Sequence, residues 1–417
     1  MDFAPSPKVR EFQDKLTAFM DAYVYPAEAV AHAQIAASGE PHHHPQIIQE
    51  LKQRSRAAGL WNLFLPDQTY GAGLTNLEYA PLAEIMGRSP IAPEVFNCSA
   101  PDTGNMEILA EFGTTEQRRQ WLEPLLAGEI RSCFSMTEPE VASSDATNMQ
   151  TRAVRDGDTY VITGHKWFTS NAYHPNCRIA IVMAVTDPEA PPHRRATMIL
   201  VPLDTAGVEL VRSLPVFNHI GDGGHAEVRY NDVRVPVTHR LGDEGSGFVI
   251  AQARLGPGRI HHCMRSIGGA ERALELLCKR AASRVAFGSR LIEKQTIQNW
   301  IAESRLQIDA ARLLVLHAAW KMDVVGKREA RQEISMIKVV AANAYLDVLD
   351  RAIQVHGAMG VTNDTPLALM WSNARTLRIV DGPDEVHKMV IARYEIRRHV
   401  PSGATVSAQG EARAPHL

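Results

Sequence analysis

Apolar residues recur at helical spacing over most of the first 130 positions. Val9-Arg10-Glu11-Phe12 through Val24 lay them on one stripe, and Pro26 is expected to stop that helix. Further helices are expected from Ile47 to Gly59, Asn76 to Gly87, Asn105 to Gly113 and Thr115 to Ala127, while the run from Leu60 to Pro66 reads as core. Between roughly Arg131 and Gly242 the period shortens to two. Thr151–Arg155 and Tyr160–Thr163 flank Asp156-Gly157-Asp158, the chemistry of a tight hairpin, and strands are expected at Arg178–Val185, Thr197–Pro202 and Glu227–Val235. From Gly247 the helical period returns. Phe248–Ala253, Ile260–Val285 (with Gly268-Gly269 as a break), Leu291–Val324 and Arg328–His356 can bury their stripes as a bundle. The expectation is an α+β chain with a helical domain at 1–130, a β domain at 131–245, a helical bundle at 246–400 and a disordered tail at 401–417, where the chain turns to Ser, Gly, Ala, Gln and Glu.

Two more helical segments, Leu367–Ile379 and His387–Arg393, meet at a kink, Asp381-Gly382-Pro383. Pro383 suits a first helical position, and Asp384 and Glu385 suit the positive end of a helix. Asp381 is thus a carboxylate held at a turn. Beside a glycine that admits a ligand to the backbone, it reads either as a helix cap or as a general base.

Charge and composition narrow the function classes. The chain has 417 residues, 45% hydrophobic and 22% charged, with a formal net charge of −3. Lys and Arg are scattered among acids, which leaves no electrostatic footprint for nucleic acid. No apolar run approaches the ~20 residues a membrane helix needs. The five cysteines are widely separated and odd in number, as expected of reduced thiols. His42, His43 and His44 are consecutive in a proline-flanked segment, where side chains diverge, so no metal site is expected there. With neither a signal peptide nor a peroxisomal address in view, a cytoplasmic enzyme is the expectation.

Five motifs change the picture. They are Phe134-Ser135-Met136-Thr137-Glu138-Pro139 followed by Ser143-Ser144-Asp145; Gly164-His165-Lys166-Trp167-Phe168-Thr169-Ser170-Asn171; Arg284-Val285-Ala286-Phe287-Gly288 with Gln295; Gln354-Val355-His356-Gly357; and the Asp381-Gly382 turn. In this order they resemble the acyl-CoA dehydrogenase family from about Pro7 to His399. The resemblance implies an N-terminal helical domain, a β-barrel-like middle domain and a C-terminal four-helix bundle. It also implies FAD, an acyl-CoA substrate and reoxidation by an electron-transfer flavoprotein. Most of the family carries Glu-Gly-Thr at the last motif. Asp-Gly-Pro-Asp-Glu is similar to the branch of family members ten and eleven, with Asp381 as the base that removes the α-proton. Other members place the base early in a C-terminal helix; the matching position here, Gly258, has no acid.

The same resemblance assigns Phe134, Met136, Thr137, Ser143, Ser144, Trp167, Phe168 and Thr169 to the flavin, although Trp167 and Phe168 would also pass for core aromatics. Ser144, Arg259 and Gly382 are assigned to the substrate, with a plain surface role as the alternative for Arg259. Pro383 and Glu385 are assigned to the cofactor. Arg284, Phe287, Gln295, Gln354 and Gly357 match residues that reach the FAD of a neighbouring subunit, which implies a homodimer or homotetramer. Arg375 and Arg378 read as ion pairs on a helix face or as contacts to a polar acyl chain. An oxidase on the same fold, of the acyl-CoA oxidase or nitroalkane oxidase type, and a non-catalytic FAD-binding protein are the competing readings.

Overall fold

The computed structural model describes residues 4–221 and 223–400, so the tail expected at 401–417 lies outside the described residues. The first helix, α1 (Pro7–Phe19), starts at Ser6, whose hydroxyl accepts from Val9 N–H. Pro26 does not stop it. A π-helical turn at Met20–Val24 carries the chain into α2 (Tyr25–Ser38), with Tyr25 N–H bonded to Met20 O. Pro26 therefore falls in a first turn, where its missing N–H costs nothing. The same device recurs further on. After α3 (Gln46–Ala57), α4 (Asn76–Gly87), α5 (Ala92–Val95) and α6 (Asp102–Phe112), the short α7 (Thr115–Gln117) passes through a π turn at Arg118–Leu122 into α8 (Glu123–Leu126), which holds Pro124.

The middle of the chain is a sheet. Its strands are β1 (Arg131–Ser135), β2 (Arg152–Asp156), β3 (Thr159–Ser170), β4 (Cys177–Val185), β5 (Ala196–Pro202), β6 (Val208–Ser213), β7 (His225–Pro236) and β8 (Arg240–Leu241). The spatial order is β6-β7-β3-β2-β4-β5-β8, with β1 parallel beside β4. The hairpin at Asp156-Gly157-Asp158 joins β2 and β3 as its turn chemistry predicts. β1 and β6 were not expected. β4 is buried on both faces: Ile179, Ile181 and Met183 enter the core shared with the helices, while Ala180, Val182 and Ala184 enter the core of the sheet itself.

A helical region closes the fold. The helix α9 (Gly247–Ser283) runs unbroken for 37 residues, through Pro257 and through Gly268-Gly269. Those two glycines mark close packing where a break was expected. A Cβ on Gly268 would lie 1.8 Å from Glu84 O in α4, and one on Gly269 would lie 2.5 Å from the Tyr345 ring. A two-stranded hairpin, β9 (Val285–Ala286) with β10 (Ser289–Arg290), leads to α10 (Gln295–Glu329), which is kinked at Gly326, and then to α11 (Arg331–His356), α12 (Leu367–Thr376) and α13 (Asp384–His399). Helices α9, α10 and α11 pack on one another, α13 packs on α11, and α4 packs against α9 and α10. Among the described residues, no helix is long and apolar enough to cross a membrane.

Candidate active site

The α12–α13 turn holds Asp381 at φ 55° and Gly382 at φ 100°. Aspartate tolerates the left-handed region better than most side chains, and glycine adopts it freely. A Cβ on Gly382 would meet His387 Nε2 at 2.9 Å, so both φ and space require glycine. Pro383 is extended and caps α13; the helix begins one residue later, at the buried Asp384. Arg378 Nε donates to Asp384 Oδ2 at 2.8 Å, which commits Arg378 to an ion pair across the turn. Glu385 is exposed.

Helix α9 faces this turn. Arg259 Nε donates to Asp381 O at 2.9 Å, and His387 Nε2 donates to the same carbonyl at 3.3 Å. His262 Nε2 lies 3.0 Å from Asp381 Oδ2, and Arg265 Nη2 lies 3.2 Å from His262 Nδ1. Burial raises the Asp381 carboxyl, but the hydrogen bond from His262, with the guanidinium groups of Arg254 and Arg259, outweighs it and holds the group well below the ordinary carboxylate range. Burial lowers His262 despite Asp381, and it brings His387 down to about 4. At neutral pH the cluster therefore pairs a carboxylate with neutral imidazoles. Asp381 is bonded by neighbours at both its carbonyl and its carboxylate, which goes beyond a plain helix cap. A Cβ on Gly258 would meet nothing within 4 Å, so that side of α9 is open.

Arg254 links this cluster to the first motif. Its guanidinium lies 4.0 Å over the Phe134 ring, and its Nε donates to Asn105 Oδ1 at 2.8 Å. Past Phe134 the chain is pinned to β3: Trp167 N–H donates to Thr137 O at 3.0 Å, and Thr137 Oγ1 donates to Trp167 O at 2.6 Å. Buried Lys166 donates to Met136 O and to Glu138 Oε1, both at 2.8 Å. Burial pulls that ammonium down to about 8, against the carboxylate of Glu138. Trp167 and Phe168 meet edge to face at 5.0 Å. Phe168 has φ 50° and is 45% exposed, which makes it surface aromatic and not core. Thr169 is fully buried, with its hydroxyl 3.2 Å from Ser135 Oγ. The two serines separate in role: Ser143 Oγ accepts from Glu138 N–H at 2.9 Å and holds the loop, whereas Ser144 is exposed.

The remaining motif residues stand apart from this cluster. Arg284 is exposed beside β9, Phe287 tips the β9–β10 hairpin with 100% exposure, and Gln295 opens α10 bonded to Asn299. Gln354 and Gly357, at the end of α11, are also exposed. Sequence reasoning missed His262, Arg254 and Arg265. Each is one polar residue within a long helical pattern, and only the fold brings it to the turn.

Two of the three consecutive histidines meet different neighbours. His42 stacks on Tyr173, and His44 lies against His174. His44, His174 and Glu94 place one ligand-type atom each within 4.8 Å of one another. Glu94 is also paired with Lys52 and Arg131.

Models of the acyl-CoA dehydrogenase N-terminal, middle and C-terminal domains match residues 6–129, 133–233 and 245–395. The chain belongs to the acyl-CoA dehydrogenase family, as an oxidoreductase of that class. It is 57% identical to "Probable acyl-CoA dehydrogenase FadE2" of Mycobacterium tuberculosis, over 95% of this chain and 98% of the relative. It is 54% identical to acyl-CoA dehydrogenase family member 11 of Gallus gallus over 94% of this chain, spanning about half (51%) of that longer relative. Among solved structures, a Mycobacterium abscessus chain is 50% identical with a TM-score of 0.92, covering 95% of this chain and 99% of that one. Butyryl-CoA dehydrogenase of Megasphaera elsdenii is 28% identical with a TM-score of 0.80, covering 95% and 100%.

Proposed function

We propose that this protein is an FAD-dependent acyl-CoA dehydrogenase that converts an acyl-CoA thioester to the 2-enoyl-CoA, the desaturation that opens a round of β-oxidation. The observation that carries the reading is the Asp381 carboxylate, kept ionised in a strained turn that is bonded to α9 through Arg259 and His262.

FAD is the cofactor, and the first two motifs fit it. Trp167 and the exposed Phe168 give an aromatic surface for a planar ring beside the pinned Met136–Thr137 backbone. Bound FAD supplies the acceptor for the β-hydrogen. The chain's own residues do the rest. Asp381 takes the α-proton; Arg259 and His387 fix its peptide through the carbonyl, which aims the side chain and the backbone N–H toward the thioester. Arg254 holds Phe134 from behind. Ser144 and Gly382 approach the substrate, and Pro383 and Glu385 the cofactor. The exposed Arg284, Phe287, Gln295, Gln354 and Gly357 reach the FAD of a second subunit, so the working form is a homodimer or homotetramer. An electron-transfer flavoprotein is the acceptor that returns the cofactor to its oxidised form.

The test is an anaerobic titration of purified protein with acyl-CoAs of differing length and branching, read from the flavin absorbance band. Bleaching by one or more thioesters supports the reading. A flavin that every thioester leaves oxidised overturns it. Oxygen consumption matching substrate loss without an added acceptor moves the assignment to an oxidase.

A further inference from the structure

We infer that His262 is a positioning residue for the base: Arg265 fixes its imidazole with the proton on Nε2, and that N–H holds Oδ2 of Asp381, leaving Oδ1 to receive the α-proton. The inference rests on the reading of Asp381 as the base.

Arg265 is itself anchored by donating through Nη1 to Cys98 O at 3.1 Å. A guanidinium can only donate, so His262 Nδ1, 3.2 Å from Arg265 Nη2, must accept. A neutral imidazole that accepts at Nδ1 carries its proton on Nε2. That nitrogen lies 3.0 Å from Asp381 Oδ2, which as a carboxylate oxygen accepts. The donors run one way, from Arg265 through His262 to Asp381. A second proton on Nδ1 would break the contact with Arg265 and set two cations side by side. Burial together with Arg265 and Lys338 opposes that proton as well, against the pull of Asp381. His262 is therefore a fixed donor and not a proton sink, and the proton taken from substrate stays on Asp381.

Other groups also face the carboxylate. From α9 come Arg254, Arg259 and Cys263, and from α11 comes Lys338, with Arg331 beside Arg259; from α13, His387 meets only the Asp381 carbonyl, and Asp384 pairs with Arg378. The cations act through space. Among the described residues His262 alone hydrogen-bonds the carboxylate oxygens, so it fixes the rotamer while the cations share in favouring the charge.

The experiment compares His262→Leu and His262→Gln, each with FAD bound, by rapid-mixing anaerobic flavin reduction with a bleaching acyl-CoA across pH 5 to 9. Asp381→Asn serves as the reference. Leucine keeps bulk but removes the donor, whereas glutamine keeps a donor that does not titrate. Losing a hydrogen bond to a charged group corresponds to about tenfold to a hundredfold in rate. The expected result is a fall of that size for His262→Leu, an acid limb that rises into the measured range where the wild type stays flat, and substantial recovery of both in His262→Gln. Substrate affinity, read from the flavin spectral shift before reduction, changes little. The inference is overturned if Asp381→Asn abolishes reduction while His262→Leu keeps the wild-type rate and acid limb, or if glutamine recovers nothing. If Asp381→Asn itself reduces flavin at the wild-type rate, the reading of the base fails instead.

Discussion

Lys166 Nζ lies 2.8 Å from Glu138 Oε1, with both side chains withdrawn from solvent, and the same ammonium donates to Met136 O. Glu138 also accepts from the N–H groups of Gln150 and Thr151. The pair ties three stretches of backbone together under the flavin-lining motif. Lys166→Met should leave Glu138 as an unpaired buried charge and cost about 3–5 kcal/mol. Thermal unfolding checks this, and a double variant with Glu138→Gln should regain part of the loss. FAD retention should fall alongside stability.

Asp381→Asn keeps the shape of the side chain and removes its basicity. The variant should fold and retain FAD, while substrate-driven flavin reduction falls by about a hundredfold to ten-thousandfold. Stopped-flow absorbance measures it directly; wild-type bleaching would show that the proton leaves by another route.

The pH profile follows from the direction of the shifts. Asp381 must be ionised to act, and its carboxyl is held below the ordinary carboxylate range, so the acid limb moves down from the ordinary value. His387 is brought to about 4 and stays neutral above it, so it adds no limb near neutrality. The kcat/KM of the wild type, which reports the free enzyme, should be flat from pH 8 down to about 5. A limb between pH 6 and 7 would mean that an imidazole, and not the carboxylate, governs the rate.

Gly382→Ala meets two penalties, a left-handed φ of 100° and a Cβ 2.9 Å from His387 Nε2. We expect about 1–3 kcal/mol of destabilisation and a larger fractional loss of kcat, because the adjoining residue is the base. Adding His387→Ala should relieve the contact but not the backbone. Differential scanning calorimetry with steady-state assays on both variants separates the two.

The two adjacent serines should part company. Ser143→Ala removes the acceptor for Glu138 N–H and should lower stability by about 1 kcal/mol. Ser144→Ala should leave the melting temperature unchanged and alter only ligand affinity, measured by FAD release and by substrate titration.

Periodicity made the fold legible where one face of an element meets water. The helix over Ile47–Gly59 and the hairpin at Gly157 are of this kind. It failed where two elements share a residue's environment. Pro26 reads as a stop because a π turn has no sequence signature of its own, and Gly268-Gly269 reads as a break because the backbone of α4 pressing on it comes from nearly two hundred residues away. The site divides in the same way. Asp381 and the flavin motifs are local strings. His262, Arg254 and Arg265 act only through partners brought by folding, and a lone histidine in a helical stripe gives no hint of the carboxylate it will meet.

The strand β4 serves two cores at once, with Ile179, Ile181 and Met183 on one side and Ala180, Val182 and Ala184 on the other. Its amides therefore have no nearby solvent to open toward, and in hydrogen exchange they should be released only with global unfolding. β1 runs parallel beside it as far as Ser135↔Val182, one residue short of Met136. The segment we assign to the flavin thus grows from what should be the slowest-exchanging part of the molecule. The middle sheet is accordingly no detachable module, since excising it would strip one face of β4 bare, and the chain should keep its cofactor platform until it loses everything.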